Sequence, residues 1–106
     1  MPRNRPRRAS VARWLADAPP SVLDCFDHGG ERDRYTILLK PRPDDCAPGW
    51  AVPYLALDAW GRGSWGELSQ VDAALGRSIS RKRRVRWRDL PEAVRAAVVA
   101  RHTAEP

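Results

Sequence analysis

No apolar run in this chain approaches the ~18–20 residues that a membrane-spanning helix requires, so no membrane partner is expected. Residues 1–8 are rich in arginine and proline, but no apolar stretch of signal-peptide type follows them, and a cytoplasmic location is the expectation. Cysteine is scarce. Cys25 and Cys46 stand alone, without a CxxC pair or a histidine at ligand spacing. Two such ligands do not close a zinc site, which takes four, and a reducing compartment disfavours a structural disulfide. Both thiols therefore read as reduced groups packed like small apolar side chains. Histidine is limited to His28 and His102, no internal repeat is present, and no Gly-x-Ser-x-Gly elbow exists because Arg62 stands where its first glycine belongs.

Acid is also missing, from two particular stretches. Residues 1–16 carry five arginines and no acid, and residues 77–88 carry seven bases and no acid. Between them, residues 17–76 hold ten acids against five bases. The net charge of +6 is thus segregated into two basic blocks around a mildly acidic centre. Such a field attracts polyanions or acidic protein surfaces, and salt weakens it.

What is present suits one globular domain of modest core. Residues 1–9 alternate proline and arginine with almost nothing to bury, and are expected to form a flexible basic arm ahead of a single domain over 10–106. Ser10 is placed to cap a short helix with Val11, Trp14, Leu15 and Ala18 on one face, ended by Pro19-Pro20. Strands are expected over 22–27 and 35–39, joined through Gly29-Gly30, and a third over 52–60, with Pro53 tolerable near its start or on an edge. The tripled proline and paired aspartates of 41–49 read as a loop.

Ser64-Trp65-Gly66-Glu67 has the form of a capping box, predicting a short middle helix with Leu68, Val71 and Leu75 on its apolar face and Gly76 at its end. Strict alternation over 84–88 predicts a strand that points Val85 and Trp87 inward and Arg84, Arg86 and Arg88 outward. Asp89-Leu90-Pro91-Glu92 is a second capping signal, opening a terminal helix on Leu90, Val94, Ala97 and Val98 that runs to about Arg101. Together these elements define an α+β fold: a small, mostly antiparallel sheet of three or four strands with a short middle helix and a C-terminal helix.

Two stretches carry a resemblance. Gly29-Gly30-x-x-Asp33-Arg34-Tyr35-Thr36 is one; Leu75-Gly76-Arg77 followed by Arg84-Val85-Arg86-Trp87-x-Asp89-Leu90-Pro91-Glu92 is the other. Together they resemble a family of small proteins carried by phages and plasmids, over roughly 40 of the 106 residues. The chain lacks that family's Asn-Pro and Pro-Gln-Gly-Phe segment, and residues 78–83 look inserted. The resemblance implies a mobile-element origin, and with it a role in handling DNA or countering host defence. It supplies no catalytic residues.

Several motifs touch on chemistry. Gly61-x-Gly63-x-x-Gly66 matches a dinucleotide fingerprint, yet only 40 residues follow it, and Ser80-Arg81-Lys82 occupies the place of the expected acid. A flexible turn is the preferred reading. His28-Gly29-Gly30 resembles an oxyanion loop, and Cys25 or His28, with Asp24 or Asp27, is the basis of a small-hydrolase alternative; a solvent-exposed turn histidine is preferred. Asp24, Asp27, Glu31, Asp33, Asp44 and Asp45 read as a solvated acidic patch, since nothing makes their oxygens converge. Neither a metal nor a cofactor is expected. Trp14, Trp60 and Trp87 fit core faces, whereas Trp50 and Trp65 are the candidates for stacking on bases.

The strongest signal is the block Arg77, Arg81, Lys82, Arg83, Arg84, Arg86 and Arg88. Planar guanidinium forks suit phosphate oxygens, and such density resists burial against itself. The leading expectation is a non-enzymatic accessory protein that binds nucleic acid through backbone phosphates, with Arg3, Arg5, Arg7 and Arg8 as an auxiliary arm. The alternative is an anti-defence inhibitor, anti-CRISPR-like, that engages an acidic surface of a host protein complex.

Overall fold

The computed structural model describes residues 13–40 and 51–104. The arm at 1–9, Ser10 and Val11, the loop at 41–49, Trp50, Cys46, Asp44 and Asp45, and the side chain of His102 lie outside the described residues. Four strands form one antiparallel meander: β1 (Val22–Asp27), β2 (Tyr35–Leu39), β3 (Ala51–Leu57) and β4 (Gly63–Ser69), in that spatial order. Two helices follow, α1 (Gln70–Ile79) and α2 (Glu92–Ala104), with one-turn 3-10 helices at Arg81–Arg83 and Trp87–Asp89 between them. The α+β class is as the sequence implies.

The sheet is covered on both faces because β1 and β2 are apolar on both. One face holds Cys25, Ile37, Leu55 and Leu57, and packs against Trp87, Leu90, Val94 and Val98 from the C-terminal segment. The other holds Phe26, Leu38 and Val52, against which α1 sets Ala73. An irregularity in β1 between Val22 and Asp24 shifts the register by one residue. This bulge puts Val22 on the α2 face with Cys25 although they are three apart, and leaves Asp24 beside Leu38 on the α1 face. Each fully buried aliphatic, such as Ile37 or Val94, contributes roughly 1.5–3 kcal/mol.

The middle of the chain departs from the sequence expectation. The Ser64–Glu67 capping box does not form, because 63–69 is the edge strand β4, paired with β3 from Ala51↔Ser69 to Leu57↔Gly63. A helix there would place Gly66 in its first turn and strip β3 of a whole ladder. The cap comes five residues later: Ser69 Oγ accepts from the Asp72 amide at 3.1 Å. The helix passes through Gly76 to Ile79, and Val71 and Leu75 point away from the sheet.

The third strand stops at Leu57, not Trp60. Residues 58–62 form a tight turn in which Asp58 Oδ1 accepts from the Trp60 and Arg62 amides, each at 2.9 Å, and Gly61 adopts φ +80°. Trp60 projects from this turn and is 72% exposed, so it is not a core residue. Pro53 lies within β3 but beyond the β2 ladder, which ends at Leu38↔Tyr54, so its missing N–H costs that ladder nothing.

Residues 84–88 do not make a strand either. Only Arg84 bridges to Phe26, and the Val85 amide donates to the Cys25 carbonyl at 3.0 Å before the chain turns at Trp87. Val85 and Trp87 do face the core. Asp89 closes the second 3-10 turn instead of capping a helix, and α2 begins at Glu92.

Candidate polyanion interface

Helix α1 carries the chain across the sheet from the β4 edge to the β1 edge, and the basic block is laid along β1. Asp24 organises it. Its side chain is only 5% exposed, and its Oδ1 accepts from the Cys25 amide at 3.0 Å. Its Oδ2 receives Arg77 Nε from α1 at 3.2 Å and Arg84 Nη2 at 3.0 Å. A buried carboxylate needs such partners, since desolvating an unpaired charge is prohibitive. One pocket at this cluster, about 30 Å³, is lined by Trp14, Leu15, Leu23, Asp24, Arg77 and Arg84, and Arg84 Nε is buried there without an acceptor among the described residues. The volume and polarity suit a water.

The seven bases therefore divide. Arg77 and Arg84 turn inward, so the expected outward row of Arg84, Arg86 and Arg88 is not formed. Arg83 Nη1 donates to the His28 carbonyl at 2.8 Å while the residue stays exposed. Arg86 lies over the Trp14 ring, 5.6 Å from its centroid, within cation–π range. Arg88 approaches Asp17 at 3.7 Å, with both side chains more than half exposed, a pairing of little energetic weight. Arg81 and Lys82 are exposed on the first 3-10 turn. Five bases, Arg81, Lys82, Arg83, Arg86 and Arg88, thus face solvent along the β1 edge.

The acids do not form one solvated patch. Asp24 is buried, and Asp27 is clamped by Arg34, with Nε at 2.9 Å and Nη2 at 3.1 Å, and accepts from the Gly29 amide at 2.9 Å. The Arg34 fork holds the Asp27 carboxyl below its ordinary range. Glu31 and Asp33 are exposed. Among the described residues, no group of three His, Cys, Asp or Glu side chains is placed to hold a metal.

Cys25 and His28 are on opposite faces of the sheet. Cys25 is fully buried against α2, and burial, reinforced by Asp24, pushes its thiol up to about 12. His28 stacks on Phe26 and hydrogen-bonds Thr36 Oγ1 through Nε2 at 3.0 Å, both on the α1 side. Burial, with the Arg83 charge added, lowers the His28 pKa, and Asp27 opposes the shift. The structure assembles no Cys–His couple from these two residues.

The glycine motif is a hairpin. Gly61 turns against α2, where an added Cβ would meet the Ala93 carbonyl at 2.5 Å, and Gly66 lies mid-strand beneath the Tyr54 ring. No strand-to-helix phosphate loop exists here. Trp65 is 54% exposed on β4, with the Arg101 guanidinium 4.7 Å from its centroid. It stands at the sheet edge opposite the basic segment, three inter-strand spacings or about 14 Å away. The structure does not bring it together with Arg81–Arg83.

Sequence reasoning missed Asp24 as an anchor and Trp14 as a seat for Arg86. An acid inside the apolar run Val22–Asp27 was the available signal for the first; the second had none. No family model matches this chain, and comparisons with curated proteins and with solved structures give no significant match. No helix among the described residues is long and apolar enough to cross a membrane.

Proposed function

We propose that this protein binds nucleic acid through backbone phosphates, using the exposed bases Arg81, Lys82, Arg83, Arg86 and Arg88 along the β1 edge, with Arg5, Arg7 and Arg8 of the N-terminal segment in support. The observation that carries this reading is the division of the basic block: one buried carboxylate absorbs two arginines and leaves five cations in solvent. Phosphate contacts of this kind carry no base readout, so binding is sequence-tolerant. The motif resemblance adds a mobile-element setting, and a non-enzymatic, cytoplasmic accessory role goes with it.

Fluorescence anisotropy with a labelled duplex and a labelled single strand tests the proposal. Five phosphate contacts on duplex DNA give a slope of about −4 to −5 for log K against log salt, or on the order of 10²–10³-fold weaker binding between 50 and 200 mM. Replacing Arg81, Lys82 and Arg83 together by Ser reduces that slope by about 3. No binding to either strand form at micromolar protein and low salt overturns the proposal. Protein partners captured from lysate that survive nuclease treatment, with no nucleic-acid binding, favour the inhibitor reading instead.

A further inference from the structure

Helix α1 is amphipathic in the unexpected sense. Its sheet side presents Ala73, the half-buried Gly76 and Arg77, whereas Val71, Leu75 and Ile79 form a ridge on the opposite side at 76%, 57% and 72% exposure. These are i, i+4 and i+8 positions, which stack one above another on a helix. Scattered exposed aliphatics need no explanation, but three in one row on the outward face of one helix mark an interaction surface.

We infer that this ridge is a homodimer interface in which α1 packs antiparallel against α1 of a second copy, with Leu75 on the two-fold axis. The ridge has the symmetry for it: Leu75 meets its own counterpart, and Val71 meets Ile79 of the second copy, twice. The charges favour the same orientation. Exposed Glu67 and Asp72 lie at the N-terminal end of α1, and exposed Arg81 and Lys82 lie just past its C-terminal end. Antiparallel pairing sets acid against base at both ends of the interface, as it does the helix dipoles; parallel pairing sets like against like. A ten-residue helix is about 15 Å long, so the interface belongs to the small class and the dimer is a weak, micromolar one.

The test is sedimentation equilibrium on the full chain without nucleic acid, from about 1 to about 300 µM, a range suited to an interface of this class. A monomer–dimer equilibrium is expected, abolished by Leu75→Glu with the circular dichroism spectrum unchanged. Asp72→Lys weakens the dimer, and Asp72→Lys combined with Lys82→Asp restores it. Register is read by oxidative crosslinking in a Cys46→Ser background. Leu75→Cys alone crosslinks to its own counterpart, and Val71→Cys alone does not, whereas Val71→Cys with Ile79→Cys does.

A chain that stays monomeric throughout overturns the inference, as does a dimer indifferent to Leu75→Glu. A monomer whose melting temperature falls sharply on Leu75→Glu also overturns it, since the ridge is then covered by the same chain. Anisotropy on the Leu75→Glu variant reports nucleic-acid binding separately, because the five exposed bases are retained.

Discussion

Replacing Asp24 by Asn tests the architecture at its most committed point. The carboxylate is 5% exposed and holds two guanidinium groups and one backbone amide. Removing one partner from a fully buried ionic cluster costs about 3–5 kcal/mol. Here the arginines retain an outlet, with Arg77 and Arg84 side chains 38% and 27% exposed, so their heads can swing toward water and recover part of that loss. About 2–3 kcal/mol is the expected destabilisation. For a domain of this size each kcal/mol moves the midpoint by about 4–8 °C, which puts the fall in Tm between roughly 8 and 24 °C.

Thermal and urea unfolding followed by circular dichroism measure it, with the urea slope checked for constancy. The triple replacement Asp24→Leu, Arg77→Met, Arg84→Met supplies the control. It removes the charges together and recovers most of the loss, because an apolar cluster of similar volume has no desolvation to offset. A fall in Tm below about 3 °C for Asp24→Asn refutes the claim that this cluster anchors the basic segment. A triple variant no more stable than the single one refutes the electrostatic account of it.

Other consequences follow from individual groups. In a Cys46→Ser background the Cys25 thiol, raised to about 12 by burial, resists a disulfide reagent in native buffer and reacts stoichiometrically in denaturant; rapid native labelling contradicts the packing described. Asp27 has its folded-state pKa depressed by Arg34 below the ordinary 3.8, so its contribution is present above that value and lost as pH falls through the folded one. Urea midpoints of Asp27→Asn are therefore flatter than wild type below pH 3.8. His28 has its pKa lowered from 6.5, so its contribution is likewise present above 6.5 and lost as pH falls, and His28→Gln flattens the profile beneath that value. Equal slopes for variant and wild type in either window contradict the corresponding contact.

The legible parts of the fold were those set locally. β1 and β2 have the bounds that the apolar runs and the Gly29-Gly30 turn predict, since β-branched and aromatic residues next to turn glycines leave few alternatives. β4 was not legible because Gly63-Ser64-Trp65-Gly66-Glu67-Leu68-Ser69 contains no β-branched residue and two glycines. Its strand state comes from pairing with β3, and its capping-box letters were coincidental. The alternation at 84–88 places Val85 and Trp87 inward and Arg86 and Arg88 outward as observed, and fails at Arg84, which turns in to Asp24. Periodicity reports which residues leave water, not which acid meets those that remain. That acid, Asp24, lies 53 positions before Arg77, a separation no window of sequence spans.

The two anchors and the exposed bases are mechanically one unit. Arg77 and Arg84 end on the same Asp24 oxygen, so residues 78–83, the end of α1 and the 3-10 turn that carries Arg81, Lys82 and Arg83, are tied at both ends. A tied segment loses less conformational freedom when it meets a phosphate backbone than a free one. The Asp24→Asn substitution therefore acts on binding in two opposed ways. It frees two further cations, steepening the salt slope by up to about 2, and it removes the side-chain tie at each end of the segment, leaving the Arg83–His28 and Val85–Cys25 bonds. At low salt the Coulombic gain prevails and the variant binds more tightly than wild type. Near physiological salt that gain is screened while the ordering cost is unchanged, and the variant binds more weakly. The two log K lines against log salt must cross. Parallel lines mean that Arg77 and Arg84 never reach phosphate, and lines that diverge from a common high-salt value mean that the tether contributes no preorganisation.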